Sequence, residues 1–125
     1  VTHRLLLPCA LLVAAFEATA VQSTHPDLAV VLGEVGWATI EHDAGEQAER
    51  IAGTPTEDEQ VRFVHEPDAW IERDRVMTFF FEAFDENWKG GDHPDHVEKH
   101  WGLYRADRTP KPAMRAVAES RKDRP

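Results

Sequence analysis

Residues 28–32 (Leu-Ala-Val-Val-Leu) form an unbroken apolar run without alternation, which predicts a strand buried on both faces, as in a parallel sheet. Gly33-Glu34-Val35-Gly36-Trp37 follows, with two glycines that permit tight turns of the backbone. Residues 41–56 are polar, contain Gly45, Gly53 and Pro55, and read as a long loop. Thr56 then offers a helix N-cap with Glu59 three positions on, the spacing of a capping box. Val61, Val64, Ala69, Trp70 and Ile71 give an imperfect helical stripe up to Arg73, which Pro67 should bend or break. Residues 75–84 read as a second strand, rich in Val76, Met77, Phe79, Phe80, Phe81 and Phe84, with the three consecutive phenylalanines assigned to the core. Lys89-Gly90-Gly91 opens another loop, and residues 112–121 read as a last short helix with Pro112 in its first turn.

Strand, loop, helix, strand is the order of a βαβ unit, so the predicted class is α/β with a parallel sheet. Both strands end in acids: Glu34 after the first, Glu82 and Glu86 after the second. The C-terminal ends of parallel strands face one side, so these acids are expected to converge there. Trp37, Trp88 and Trp101 lie in the same segments. Flat aromatic faces beside carboxylates suit sugar rings, which combine apolar C–H faces with hydroxyl rims. The plain alternative is that these are packing tryptophans and loop acids, in a chain that has 23 Asp and Glu.

The N-terminus admits two readings. A basic start, an apolar run over residues 5–16 and the small triplet Ala18-Thr19-Ala20 outline a secretory signal, and the run is too short to span a membrane. Pro8 and Glu17 fit that outline poorly. The other reading is a buried amphipathic helix leading to a turn over residues 23–27.

With 125 residues and 14.2 kDa there is room for one small domain only. Fourteen Lys and Arg against 23 Asp and Glu leave a net charge of −9, a sign that repels phosphate backbones and argues against a nucleic-acid partner. Arg105, Arg108, Lys111, Arg115, Arg121, Lys122 and Arg124 are interleaved with Asp107, Glu119 and Asp123 and read as a solvated, mixed-charge tail. The single cysteine, Cys9, excludes an internal disulfide framework and a multi-cysteine zinc site. His93, His96 and His100 have the wrong spacing for a helical zinc pair, with Pro94 between the first two, and read as a solvent-exposed loop. No metal or cofactor is called for.

Three segments carry a resemblance. Leu32-Gly33-Glu34-Val35-Gly36-Trp37 resembles the Glu-x-Gly-Trp segment of family 17 glycoside hydrolases, the β-1,3-glucanase family. Phe84-Asp85-Glu86-Asn87-Trp88-Lys89 resembles its Phe-(Asn/Asp)-Glu-Asn-x-Lys segment, and Glu98-Lys99-His100-Trp101-Gly102-Leu103-Tyr104 its Glu-x-x-(Phe/Trp)-Gly-Leu-(Phe/Tyr) segment. The likeness runs over about residues 28–112, with Ala38-Thr39 in place of the usual Pro-Ser and Pro67 inside the intervening helix.

The resemblance implies a (β/α)8 TIM barrel and retaining hydrolysis of β-glucan, with Glu34 as nucleophile at the end of the seventh strand. Glu86, Lys89 and Glu98 match groups lining the substrate cleft, and Trp37 and Trp88 are candidate sugar platforms. The family's general acid, commonly in an Asn-Glu pair after the fourth strand, has no match, since Asn87 is the one asparagine in the chain. A barrel also needs about 250 residues. Residues 1–125 therefore read as a C-terminal fragment of the barrel domain, holding strands seven and eight with their flanking helices, and residues 5–22 as the helix before strand seven. The parent protein is expected to be extracellular or in the cell envelope. The competing readings are a non-catalytic carbohydrate-binding relic, and a small secreted acidic protein with residues 1–20 as its signal.

Overall fold

The computed structural model describes residues 20–40, 42, 53–66, 71 and 73–122. In chain order it contains strand β1 (Val31–Val35), helix α1 (Glu57–His65), strand β2 (Met77–Phe80), a 3-10 turn (Val97–Lys99) and helix α2 (Pro112–Lys122). β1 and β2 are neighbours and run parallel, with Val31 opposite Met77 and Leu32 opposite Thr78. The α/β class and the βαβ unit are both present.

The boundaries differ from expectation. β1 starts three residues after the apolar run begins, Leu28 is exposed, and Glu34 lies inside the strand rather than after it. β2 is shorter than residues 75–84 because the chain changes partner. The Phe81 N–H still donates to the Val35 carbonyl at 2.7 Å, but the Glu82 and Ala83 carbonyls accept from Leu103 and Tyr104 at 2.9 Å. The third motif segment thus docks beside the second.

Helix α1 begins where Thr56 Oγ1 accepts the Glu59 N–H at 3.2 Å, and Glu57, Asp58 and Glu59 in its first turn complement the helix dipole. Pro67, Ala69 and Trp70 lie outside the described residues, as does the stretch read as either signal or helix, except for a helical turn over residues 20–24.

The core sits on one face of the strand pair. Trp37, Phe63, Val64 and Ala113 are buried together, with Val35, Val61, Phe80, Leu103 and Val117 packed against them. Gln60 ties α1 to the strand ends, its buried amide donating to the Trp37 carbonyl at 2.9 Å and the Gly102 carbonyl at 3.1 Å. Strand alternation sends Phe80 to this face and Met77 and Phe79 to the other, where they are 60% and 57% exposed. Phe79 is therefore not core, and among the described residues nothing covers that face. No described helix is long and apolar enough to cross a membrane.

Candidate active site

Glu34 owes its position to an irregularity in the strand. Between Leu32 and Val35 the register of β1 shifts against β2, so Gly33 and Glu34 break the in–out alternation and both are exposed. Glu34 lines a cavity of about 370 Å³ together with Gly36, Phe81, Glu98 and Trp101. Glu34 and Glu98, 64 positions apart in sequence numbering (98 minus 34), thus share one space at the C-terminal end of the parallel pair.

The two glycines of the first segment do different work. A Cβ on Gly33 would meet nothing within 4 Å, whereas one on Gly36 would lie 2.0 Å from the Phe81 carbonyl oxygen. Gly36 lets two backbones touch where a Cβ would not fit.

Beside the cavity, Lys89 Nζ lies 2.5 Å from Glu82 Oε2 and 2.5 Å from Glu86 Oε2, and 4.5 Å from the centre of the Phe81 ring. The hydrogen bond from Lys89 holds Glu86 below the usual carboxylate range. Glu82 moves the other way: burial pushes its carboxyl up, contact with Glu86 adds to that, and Lys89 only partly opposes it. Burial pulls the Lys89 ammonium down, but the two carboxylates together outweigh it and raise it. The cavity that holds Glu34 and Glu98 is lined by neither of the other two strand-end acids; instead Lys89 brings Glu86 together with Glu82. Its place as a strand-end acid was visible in the sequence, its contact with Lys89 was not.

The tryptophans part company. Trp37 is 9% exposed, 5.5 Å from the Phe63 ring, and its indole N–H donates to the Thr54 carbonyl. It is a core side chain, which corrects its reading as a sugar platform. Trp88 is 76% exposed and free to meet a ligand. Trp101 lines the cavity and meets Phe81 edge-on at 6.1 Å, and its buried indole N–H has no hydrogen-bond partner among the described residues.

Lys111 is not part of a solvated tail. It is 2% exposed, and its ammonium donates to Asp85 Oδ1 at 2.7 Å, Thr39 Oγ1 at 2.8 Å and the His100 carbonyl at 3.3 Å. Those three acceptors belong to the three motif segments or their edges, so one buried cation gathers the backbone behind Glu34, Glu86 and Glu98. His93 stacks on His42 with ring centres 4.0 Å apart, His96 caps the 3-10 turn through the Glu98 N–H, and His100 meets the Pro94 carbonyl. Among the described residues, no group of three His, Cys, Asp or Glu is arranged to hold a metal ion.

The model of the family described as Glycosyl hydrolases family 17 matches residues 10–115. The chain belongs to this family. It is 40% identical over 87 residues to a glucan 1,3-beta-glucosidase of Arthroderma benhamiae, covering 66% of this chain and 26% of that protein. A glucan 1,3-beta-glucosidase of Schizosaccharomyces pombe is 35% identical over 88 residues, covering 70% and 25%. The chain thus spans about a quarter of the length of these curated relatives. Among solved structures, an endo-laminarinase from Formosa Hel1_33_131 superposes with a TM-score of 0.64 at 25% identity, over 82% of this chain and 26% of the other. The family 17 beta-1,3-glucanosyltransferase of Rhizomucor miehei matches in fold, with a TM-score of 0.53 at 22% identity, over 77% and 35%. Family 17 membership accounts for the order of the three segments, of which the first and third line the cavity through Glu34, Gly36, Glu98 and Trp101.

Proposed function

We propose that the chain is the C-terminal part of a retaining hydrolase of β-1,3-glucan, with β1 and β2 as strands seven and eight of a (β/α)8 barrel. The observation that carries this reading is the cavity shared by Glu34 and Glu98 at the C-terminal end of two parallel strands. The uncovered face bearing Val31, Met77 and Phe79 supports it, because in a closed barrel those side chains would be interior. So do the relatives named for 1,3-beta-glucan and the solved family 17 enzyme bound to laminaritriose.

In this reading a Glu34 carboxylate oxygen attacks the anomeric carbon as the glycosidic C–O bond breaks. The leaving oxygen takes a proton from a general acid, and water then hydrolyses the glycosyl–Glu34 ester. The acid is supplied by polypeptide equivalent to the earlier strands of the relatives. Glu86 does not replace it, since Lys89 holds Glu86 ionised, the wrong state for donating a proton. Glu86, Lys89 and Glu98 shape the polar wall, Trp88 offers a sugar platform, and the parent enzyme acts outside the cytoplasm.

Reducing-sugar release from laminarin tests this. The 125-residue chain alone should release none at a useful rate. Joined to upstream strands that end in an Asn-Glu pair it should turn over, and Glu34→Gln should abolish that turnover. Turnover that survives Glu34→Gln would remove Glu34 from the mechanism, and glucan binding without rescue would favour a carbohydrate-binding relic.

A further inference from the structure

Lys89 is held by two carboxylates, and only one of them belongs to the motif that contains Lys89. Glu82 lies three residues before Asp85, at the point where the chain leaves β1 for residues 101–104. Its backbone is fixed at both ends of the peptide unit: the N–H donates to the Trp101 carbonyl at 3.4 Å and the carbonyl accepts from Leu103 at 2.9 Å. Its side chain is more enclosed than that of Glu86, with 14% against 32% of the side-chain surface exposed. The two acids therefore grip one ammonium from an inner and an outer side. The ammonium in turn rests over the Phe81 ring, and Phe81 lines the cavity that holds Glu34 and Glu98.

We propose that Glu82 is a positioning residue: by clamping Lys89 from the inner side it sets Glu86 and the Phe81 wall for a bound β-1,3-glucan. The ligand class rests on the reading given under Proposed function, whereas the clamp itself rests on geometry alone. Without Glu82, only the outer carboxylate, with 32% of its side-chain surface exposed, holds Lys89, and a single partly exposed ion pair orients a lysine weakly. With both, two directed charge-assisted bonds and the ring face leave the ammonium little freedom.

The test uses the 125-residue chain with laminaritriose as the probe, and NMR detection of the Lys89 side chain. Glu82→Gln should lower the Lys89 titration midpoint by about one pH unit, because an acceptor carboxylate is lost. It should weaken laminaritriose binding about fivefold, and so should Lys89→Met. The double variant should bind no more weakly than Lys89→Met alone, since Glu82 acts through that lysine. Unchanged affinity in Glu82→Gln, or losses that add in the double variant, would overturn the proposal. If the wild-type chain binds no laminaritriose, the ligand half of the proposal is overturned, while the glucan reading is decided by turnover of the chain joined to upstream strands. The clamp is then decided by the Lys89 midpoint: a fall on Glu82→Gln upholds it and no change overturns it. Should Glu82→Gln fail to fold, the wild-type chain still decides. The Lys89 ε-carbon signal should follow the titration of both Glu82 and Glu86, and following Glu86 alone would overturn the clamp.

Discussion

The Lys111 ammonium donates to Asp85 Oδ1 at 2.7 Å in a buried pair between the residue that precedes helix α2 and the segment after β2. The same Asp85 oxygen accepts the Gly102 N–H at 2.9 Å, so the pair is completed by backbone. Burial pushes Lys111 below the usual lysine range, and Asp85 opposes that shift. Such a pair contributes little as a charge attraction set against its desolvation, but breaking it leaves an uncompensated buried charge.

Lys111→Met should therefore cost about 3–5 kcal/mol of stability. Urea denaturation measures this directly, and a loss below about 1 kcal/mol would show that Asp85 finds another partner or water.

Gly36→Ala should destabilise by roughly 1–3 kcal/mol or more, since the new methyl meets the Phe81 carbonyl and rigid backbone has to move. Gly33→Ala meets open space and should leave the melting temperature nearly unchanged. Equal effects in thermal melts of the two variants would contradict the close approach of the strand ends.

The tryptophans should separate by assay. Trp37→Ala removes a core ring and should cost about 3–5 kcal/mol. Trp88→Ala should shift stability by no more than about 0.5 kcal/mol and weaken laminaritriose binding. A stable Trp37→Ala chain with impaired glucan binding would return Trp37 to the sugar platform.

Acid titration should show two opposed slopes. Glu82 is raised above 4.5, so the folded chain keeps a proton there that the unfolded chain has lost. Its contribution is full below 4.5 and falls away as the pH rises through its folded value. Glu86 is lowered, so its contribution is present above 4.5 and is lost as the pH falls through its folded value. The urea midpoint should rise on going from neutral pH towards 4.5 and drop again below it. Glu82→Gln should remove the first slope and keep the second. A midpoint that is flat between neutrality and 4.5 in the wild-type chain would show that Glu82 is not enclosed.

Local pattern alone determined the βαβ order, the Thr56 cap, the parallel pairing and the three segments that mark family 17. Each of these is written over a few neighbouring residues, in an apolar run, a capping pair or a motif. The strand ends were less legible, because β2 stops where residues 101–104 take over its hydrogen bonds, and no local signal announces a change of partner. Whether Trp37 or Trp88 faces solvent, and whether Gly36 clears a ligand or a carbonyl, depended on contacts from other segments. Lys111 reads as one more base in a charged tail until Thr39, 72 positions away, and Asp85, 26 positions away, close around it. Glu82 and Glu86 are alike as strand-end acids, and the difference in their burial around one lysine sets them apart. Burial and charge pairing are properties of the assembled neighbourhood, so only the tertiary structure could decide them.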